Sequence, residues 1–183
     1  MSSGPFLMTE RLILRPPAAQ DMDEWAAFCA DEKVMHHLGG PQTRSEAWRS
    51  LCSVAGAWQI RGFAMFSMIR RDTGEWIGRT GPWMPEDWPG KEIGWGVARA
   101  QMGKGYAYEA AVASMDYVFD VLRWDDVIHT IAPDNIASQK LARRLGSVNL
   151  GPSRLPAPFA DHPVDAWGQS REEWSKNRKN LRA

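Results

Sequence analysis

One stretch of the chain, Glu92 to Ala107, combines a strand with a glycine-rich turn able to hold an anion. Glu92-Ile93-Gly94-Trp95-Gly96-Val97 reads as a strand. Ala98 to Gly105 follows as a loop, and small apolar residues at helical spacing come next. Gly103 and Gly105 stand just before that helix. A glycine-rich turn there lets successive backbone N–H groups point at one anion, and the helix N-terminus adds its positive dipole end. Such a loop can hold a pyrophosphate without basic side chains. It is not a P-loop, which needs Lys-Ser or Lys-Thr after its last glycine; here the run is Gly103-Lys104-Gly105-Tyr106. It is not a dinucleotide fingerprint either, because Tyr108 occupies the third small position. Taken alone, two glycines before a helix also fit a plain turn.

Gly103-Lys104-Gly105-Tyr106-Ala107-Tyr108-Glu109-Ala110, directly after Glu92 to Val97, resembles the acetyl-CoA pyrophosphate motif of the GNAT acetyltransferases. The motif aligns as Met102-Gly103-Lys104-Gly105-Tyr106-Ala107. Gly105 and Ala107 match it, and Met102 replaces the usual Gln or Arg. The ribosomal-protein acetyltransferase branch is similar in placing an apolar or aromatic residue there. Asn135-Ile-Ala-Ser138, continuing to Gly146, resembles that branch's second motif. Thr9 to Arg15 resembles its opening strand, and His36 to Pro41 its loop after the first helix. The resemblance spans about residues 8 to 175.

The resemblance implies acetyl-CoA as co-substrate, no metal, and an acceptor that is a protein N-terminal amine or a small amine. The implied contacts to the co-substrate are Trp95, Val97, Met102, Gly103, Lys104, Gly105, Tyr106, Ala107, Asn135 and Ser138. The amine, with a pKa near about 8 for an α-amine and about 10 for lysine, must lose a proton before it attacks. The thioester oxygen must be stabilised, and the departing thiolate benefits from a donor. In the family a backbone N–H around Val97 holds the oxygen. Removing such a donor costs on the order of 10²-fold in rate.

Asn135 is the implied partner of the pantetheine arm, and it also fits an N-cap, so it could do both. Ser138, one turn further, is a candidate proton donor to sulfur or a small polar packing residue. Glu92 is the candidate base, directly or through water, or an exposed acid at the start of a strand. His129, mid-strand, reads as a satisfied buried histidine. His36 and His37 lie in a loop that could overhang the acceptor. Lys104 is the better phosphate contact than Lys140, Arg143 or Arg144, which also fit a solvated helix face.

These residues need a scaffold, and the pattern supplies one. Leu12 to Leu14 is a strand stopped by Pro16-Pro17, and Asp21 with Glu24 reads as an N-cap pair opening a helix. Thr43 and Glu46 repeat that signal before Trp48, Leu51, Cys52 and Ala55. Phe63 to Ile69 and Glu75 to Thr80 form a hairpin around Asp72-Thr73-Gly74. Val127 to Ala132 is a strand, Ile136 to Leu145 a helix closed by Gly146, and Val148 to Leu150 and Val164 to Gln169 are strands around a proline-rich loop. The expected fold is α/β (α+β): one mixed, mostly antiparallel sheet of six to seven strands with helices on both faces. Trp25, Trp48 and Trp124 fit the core. Trp76, Trp83, Trp88 and Trp95 cluster among prolines, where they could be core or wall a substrate cleft.

The 183 residues suit a single domain, 1–183, with its core at 8–175 and a solvated terminal helix at 171–183. Twenty-two basic and twenty-two acidic residues cancel, which argues against a nucleic-acid partner and mildly against a very basic acceptor. No secretory pattern opens the chain and no apolar run reaches membrane-spanning length, so a cytoplasmic location is expected. Cys29 and Cys52 read as two buried reduced thiols. By resemblance a homodimer is expected. The rival reading is a non-catalytic acyl-CoA-binding or sensory module of the same fold; a nucleotide-binding protein is disfavoured by the motif mismatches.

Overall fold

The computed structural model describes residues 4–181; residues 1–3 and 182–183, the ends of the expected 1–183 domain, lie outside them. The elements are β1 (Leu7–Met8), β2 (Leu12–Arg15), α1 (Met22–Ala30), α2 (Glu32–Met35), α3 (Arg44–Arg61), β3 (Phe66–Arg70), β4 (Trp76–Trp83) and β5 (Glu92–Val97). They continue with α4 (Tyr106–Asp116), β6 (Asp126–Ile131), α5 (Ile136–Arg144), β7 (Val148–Ser153), β8 (Val164–Ser170) and α6 (Arg171–Leu181). The strands form one eight-stranded sheet in the order β1-β2-β3-β4-β5-β6-β8-β7. Among the described residues, only β5 and β6 pair in parallel. The expected six to seven strands become eight because the two-residue β1 adds an edge to β2, too short to carry a periodic signal.

Local chemistry explains several boundaries. Thr43 and Glu46 form the expected reciprocal capping box, and the helix runs to Gly62, a left-handed C-cap at φ 76°. Gly146 turns the chain after α5 at φ 90°. Asp21 behaves differently from the expected cap. It is buried, ion-paired to Arg15 and bonded to Ser67 Oγ at 2.7 Å, so tertiary partners take the carboxylate that a free helix end would have used. β3 begins at Phe66 rather than Phe63, since Trp58 Nε1 already holds the Met65 carbonyl. α4 passes into a π-helical turn, Tyr117–Val121.

Side-chain alternation sorts the two faces of the sheet. Ser67, Arg79, Gly96, Gly94 and Glu92 share one face by register, and α1 and α3 cover it. Trp25 and Phe28 of α1 pack on Trp76 there. Thr80 and Trp95 share the other face. It meets α5 through Ser138 and the turn after α4 through the Phe66–Tyr117 contact. Trp25, Leu12, Leu14, Met68, Ile77, Ile93 and Met115 are fully enclosed.

Three burial expectations are corrected. Trp48 is 53% exposed, because α3 turns that side away from the sheet, and Cys52 is exposed for the same reason. The terminal helix is not wholly solvated: Trp174 is fully buried, stacked on Phe119 and bonded to Asp116. No helix among the described residues is long and apolar enough to cross a membrane.

Candidate active site

The site begins where the sheet opens. β5 and β6 pair only at Glu92 and Ile128, with Ile128 N–H donating to the Lys91 carbonyl at 2.9 Å. Beyond that point the strands part. The Ile93 carbonyl faces the gap, where His129 Nδ1 meets it at 2.7 Å, while the Gly94 carbonyl faces β4 and accepts from Thr80 Oγ1 at 3.1 Å. Because strand amides alternate sides, the N–H groups of Trp95 and Val97 also face the gap, with no ladder partner on β6. Two oriented donors therefore line a cleft inside the sheet.

Glu92 is not the exposed strand-end acid that composition would allow. It is 6% exposed. Its carboxylate accepts Thr130 N–H at 3.1 Å, Thr130 Oγ1–H at 2.9 Å and the Trp88 indole N–H. Burial raises its pKa, and the three hydrogen bonds oppose that rise without cancelling it. A raised carboxylate is a stronger base than an exposed one, closer to the range an amine needs.

The glycine loop has the expected conformation. Gly103 and Gly105 adopt φ of 74° and 83°, the left-handed region that other residues disfavour. The first bond of α4 runs from Glu109 N–H to the Gly105 carbonyl, leaving the preceding amides without intrahelical partners. Arg11 braces the loop: it donates to the Lys104 carbonyl at 3.0 Å, pairs with Glu109 at 2.6 Å and lies over the Tyr106 ring. Nothing in the local sequence pattern links Arg11 to the loop. Lys104 Nζ donates to Gln101 Oε1 at 2.9 Å, so the ammonium is held beside the loop. Met102 is 48% exposed. Ala107 lies in the first turn of α4, and Arg144 of α5 stacks on Tyr108 at 3.7 Å, placing a cation next to that turn. Arg143 turns instead to Trp167.

Asn135 caps α5: its Oδ1 accepts Ser138 N–H at 3.1 Å, leaving the side-chain amide N–H groups to donate elsewhere. Trp95 Nε1 donates to Ser138 Oγ at 3.2 Å, so the serine keeps its own proton to give. His129 is the satisfied buried histidine expected. It bonds Ile93 O and Ser147 Oγ, and burial lowers its pKa to about 4.

A cavity of about 500 Å³ opens beside the strand gap and is lined by none of the glycine-loop residues 103–107. Glu92, Trp95, Asn135 and Ser138 line it, as do Trp83 and Trp88, whereas Trp76 is core. The cluster thus walls the cleft with three of its four tryptophans and gives Trp76 to packing. Gly94 and Gly96 keep the floor clear; a Cβ at either would press on Met65 or Phe28 at under 3 Å. The loop between β7 and β8 closes over the cavity, with Phe159 against Gly39. His36 and His37 line the same cavity, and His37 Nδ1 lies 3.5 Å from Asp134. These three residues bring ligand atoms within 4.8 Å of one another, a grouping that their separation in sequence hid. Arg79 also lines the cavity and was not singled out by sequence; a lone charged residue inside the strand Trp76–Trp83 is the signal that marks it.

A family profile described as the acetyltransferase (GNAT) domain matches residues 11–148. The chain belongs to the GNAT acetyltransferases. It is 32% identical over 142 residues to an uncharacterized N-acetyltransferase, p20, of Bacillus licheniformis, covering 76% of this chain and 80% of that one. An acetyltransferase from Agrobacterium tumefaciens superimposes with a TM-score of 0.80 at 32% identity, over 91% of this chain and 95% of the other. The ribosomal-protein-S5-alanine acetyltransferase of Vibrio fischeri shares the fold, with a TM-score of 0.69 at 17% identity and 93% and 98% coverage. In this GNAT chain the glycine loop and the open β5–β6 edge fit acetyl-CoA, the co-substrate that the family generally uses.

Proposed function

We propose that the protein moves an acetyl group from acetyl-CoA to the primary amine of a small molecule, by direct attack while both substrates are bound. The parting of β5 from β6 immediately after Glu92 carries this reading, because it leaves the Trp95 and Val97 amides turned toward the opening, beside a cavity that Trp95 lines and the acceptor can enter. The loop amides of Gly103 to Ala107 would hold the pyrophosphate, with Met102 and Lys104 at its edge and Tyr106 packed beneath. Asn135 would donate to the pantetheine arm. The Trp95 and Val97 amides would polarise the thioester oxygen.

Glu92 would take the amine proton, directly or through water. As the nitrogen bonds the carbonyl carbon the carbon–sulfur bond breaks; Ser138 would donate its proton to the leaving sulfur and regain one, directly or through water, from the acylated nitrogen. A covalent acetyl-enzyme lacks a positioned nucleophile among the described residues. Cys29 is buried with a raised pKa, Cys52 lies outside the cavity, and Ser147, bonded to His129, is enclosed away from it.

Of the two acceptor classes, a small amine suits a roofed, tryptophan-walled cavity of this volume better than a peptide, which needs an open groove. This sets the ribosomal-protein branch second to a small-molecule role. Initial-rate kinetics varying both substrates test the reading. Intersecting lines support attack in a ternary complex, and parallel lines from an acetyl-enzyme would overturn it.

A further inference from the structure

Arg79 is a cation in the cavity wall without an anion. It stands in mid-strand on β4, and its guanidinium lies over the rings of Trp25 at 5.2 Å and Phe28 at 5.6 Å. Among the described residues no carboxylate pairs with it, and the Cys29 thiol is the one titratable group that favours its charge. Glu92, on the neighbouring strand, is four positions away in register, since Arg79 pairs with Gly96 and Trp83 with Glu92. Its carboxylate is already committed to Thr130 and Trp88, and Arg79 does not contribute to its pKa. Asp134, also on the cavity, faces His37.

Aromatic faces attract a guanidinium, but they do not replace the hydration and the paired anion that a desolvated charge gives up. Burial weakens the Arg79 cation accordingly, though arginine does not lose its proton in a protein. A second cavity group is also unfilled: Gln42 Oε1 is buried with no hydrogen-bond partner. A fixed positive charge and a vacant acceptor lining one cavity describe the complement of a small molecule with a carboxylate and a donor. The placement suits an acceptor. Gly96, opposite Arg79, lies between Trp95 and Val97, whose amides face the sheet opening. Trp95 lines the same cavity as Arg79, so one small molecule there can meet both the anchor and the edge of the opening.

We propose that Arg79 anchors a carboxylate of the acceptor, so that the amine acetylated belongs to an amino-acid-like molecule. This rests on the acetyl-transfer reading and narrows it. The guanidinium holds the carboxylate in a planar, two-pronged pair, Gln42 Oε1 takes one N–H of the amine, and the nitrogen lone pair is left facing the thioester. The other face of the acceptor packs on Trp83 and Trp88.

The test compares phenylalanine, leucine and methionine with their carboxamides, which keep the amine and side chain and lose the anion. Thiol release from acetyl-CoA is expected to show kcat/KM at least tenfold higher for the acids. Arg79→Met should level acids and amides, and Arg79→Lys should keep part of the preference. Equal rates for acids and amides with the unaltered protein, or an Arg79→Met variant that lowers both alike, would overturn the anchor. If Arg79→Met does not fold, the unaltered protein and Arg79→Lys still decide. Binding of 3-phenylpropionate to the CoA-loaded protein, read by tryptophan fluorescence, separates the two layers of the argument. Saturable binding that Arg79→Met abolishes, without thiol release from any amine, supports the anchor and sinks acetyl transfer. Absence of binding together with absence of acid preference overturns the anchor.

Discussion

The Glu92 carboxylate bridges to Thr130, accepting its backbone N–H at 3.1 Å and its hydroxyl at 2.9 Å, across the gap where β5 and β6 part. The side chain thereby supplies the acceptor that the missing strand pairing would have given Thr130. One residue closes the lower end of the opening and presents a buried carboxylate to the cavity above it. The structural and chemical roles of Glu92 can be separated, because glutamine preserves an acceptor oxygen for Thr130 and removes the base.

Glu92→Gln is expected to fold with a Tm somewhat below that of the unaltered protein, since its new side-chain NH2 faces the Trp88 indole N–H, and to lose about 10²-fold or more in kcat, with little change in KM for acetyl-CoA. Steady-state kinetics beside a melting curve check both halves. Near-normal kcat would leave Glu92 with the bridging role alone.

The acid limb of the rate profile should follow Glu92. Its pKa is raised, so activity climbs with pH at values above the ordinary carboxylate range, as the base loses its proton. Thr130→Val removes the hydroxyl that favours the charged form, so the limb should move to higher pH. A limb that stays in place under this change would assign the titration to another group.

Ser138→Ala should lower kcat by about tenfold while leaving acetyl-CoA binding intact, because the proposed contribution is a proton given to the leaving sulfur. The lost partner of Trp95 Nε1 should also change tryptophan fluorescence. An unchanged kcat would reduce Ser138 to a packing contact.

Gly105→Ala places a side chain at φ 83° and brings its Cβ to 3.3 Å from the Arg11 guanidinium. The left-handed backbone costs about 1 kcal/mol, and the distorted turn should raise the Kd for CoA severalfold. Calorimetric titration with CoA gives the binding half directly.

Stability should fall on acidification through His129. Its folded pKa of about 4 lies below its ordinary 6.5, so the unfolded chain binds the proton more readily. The contribution is complete above 6.5 and is lost as pH falls toward 4, amounting to about 3 kcal/mol. Glu92 works in the opposite sense, its raised pKa favouring the folded form as pH falls, and so reduces the net loss. Denaturant midpoints for the protein and for His129→Gln across this range check the sign; a steeper acid loss in the variant would contradict it.

Much of the scaffold was legible because local rules and tertiary demands agreed. Gly103 and Gly105 take the backbone that a phosphate-gripping turn requires, Thr43 and Glu46 form the box that their spacing predicts, and Gly146 ends α5. Asn135 was readable in one of its two roles, since capping is a local act. What stayed hidden depends on partners distant in sequence. Asp21 follows the capping pattern, yet Arg15 and Ser67 claim its carboxylate. Glu92 has the sequence position of an exposed strand end and becomes buried only when Thr130 and Trp88 arrive. Trp48 and Cys52 have helical spacing suited to a core, but α3 rotates them outward, and β1 is too short for any period to mark it. Arg79 reads as an ordinary strand residue until the cavity forms around it.

The most direct test of the account is thiol release from acetyl-CoA in the presence of small primary amines, free amino acids among them. Cys52 is exposed and would react with the dye, so Cys52→Ser is the form to assay. The account predicts release that depends on the acceptor, saturates with it and yields one acetylated amine per thiol. Binding of acetyl-CoA with no acceptor-dependent release from any amine in the set would contradict it and favour a protein that only senses the co-substrate.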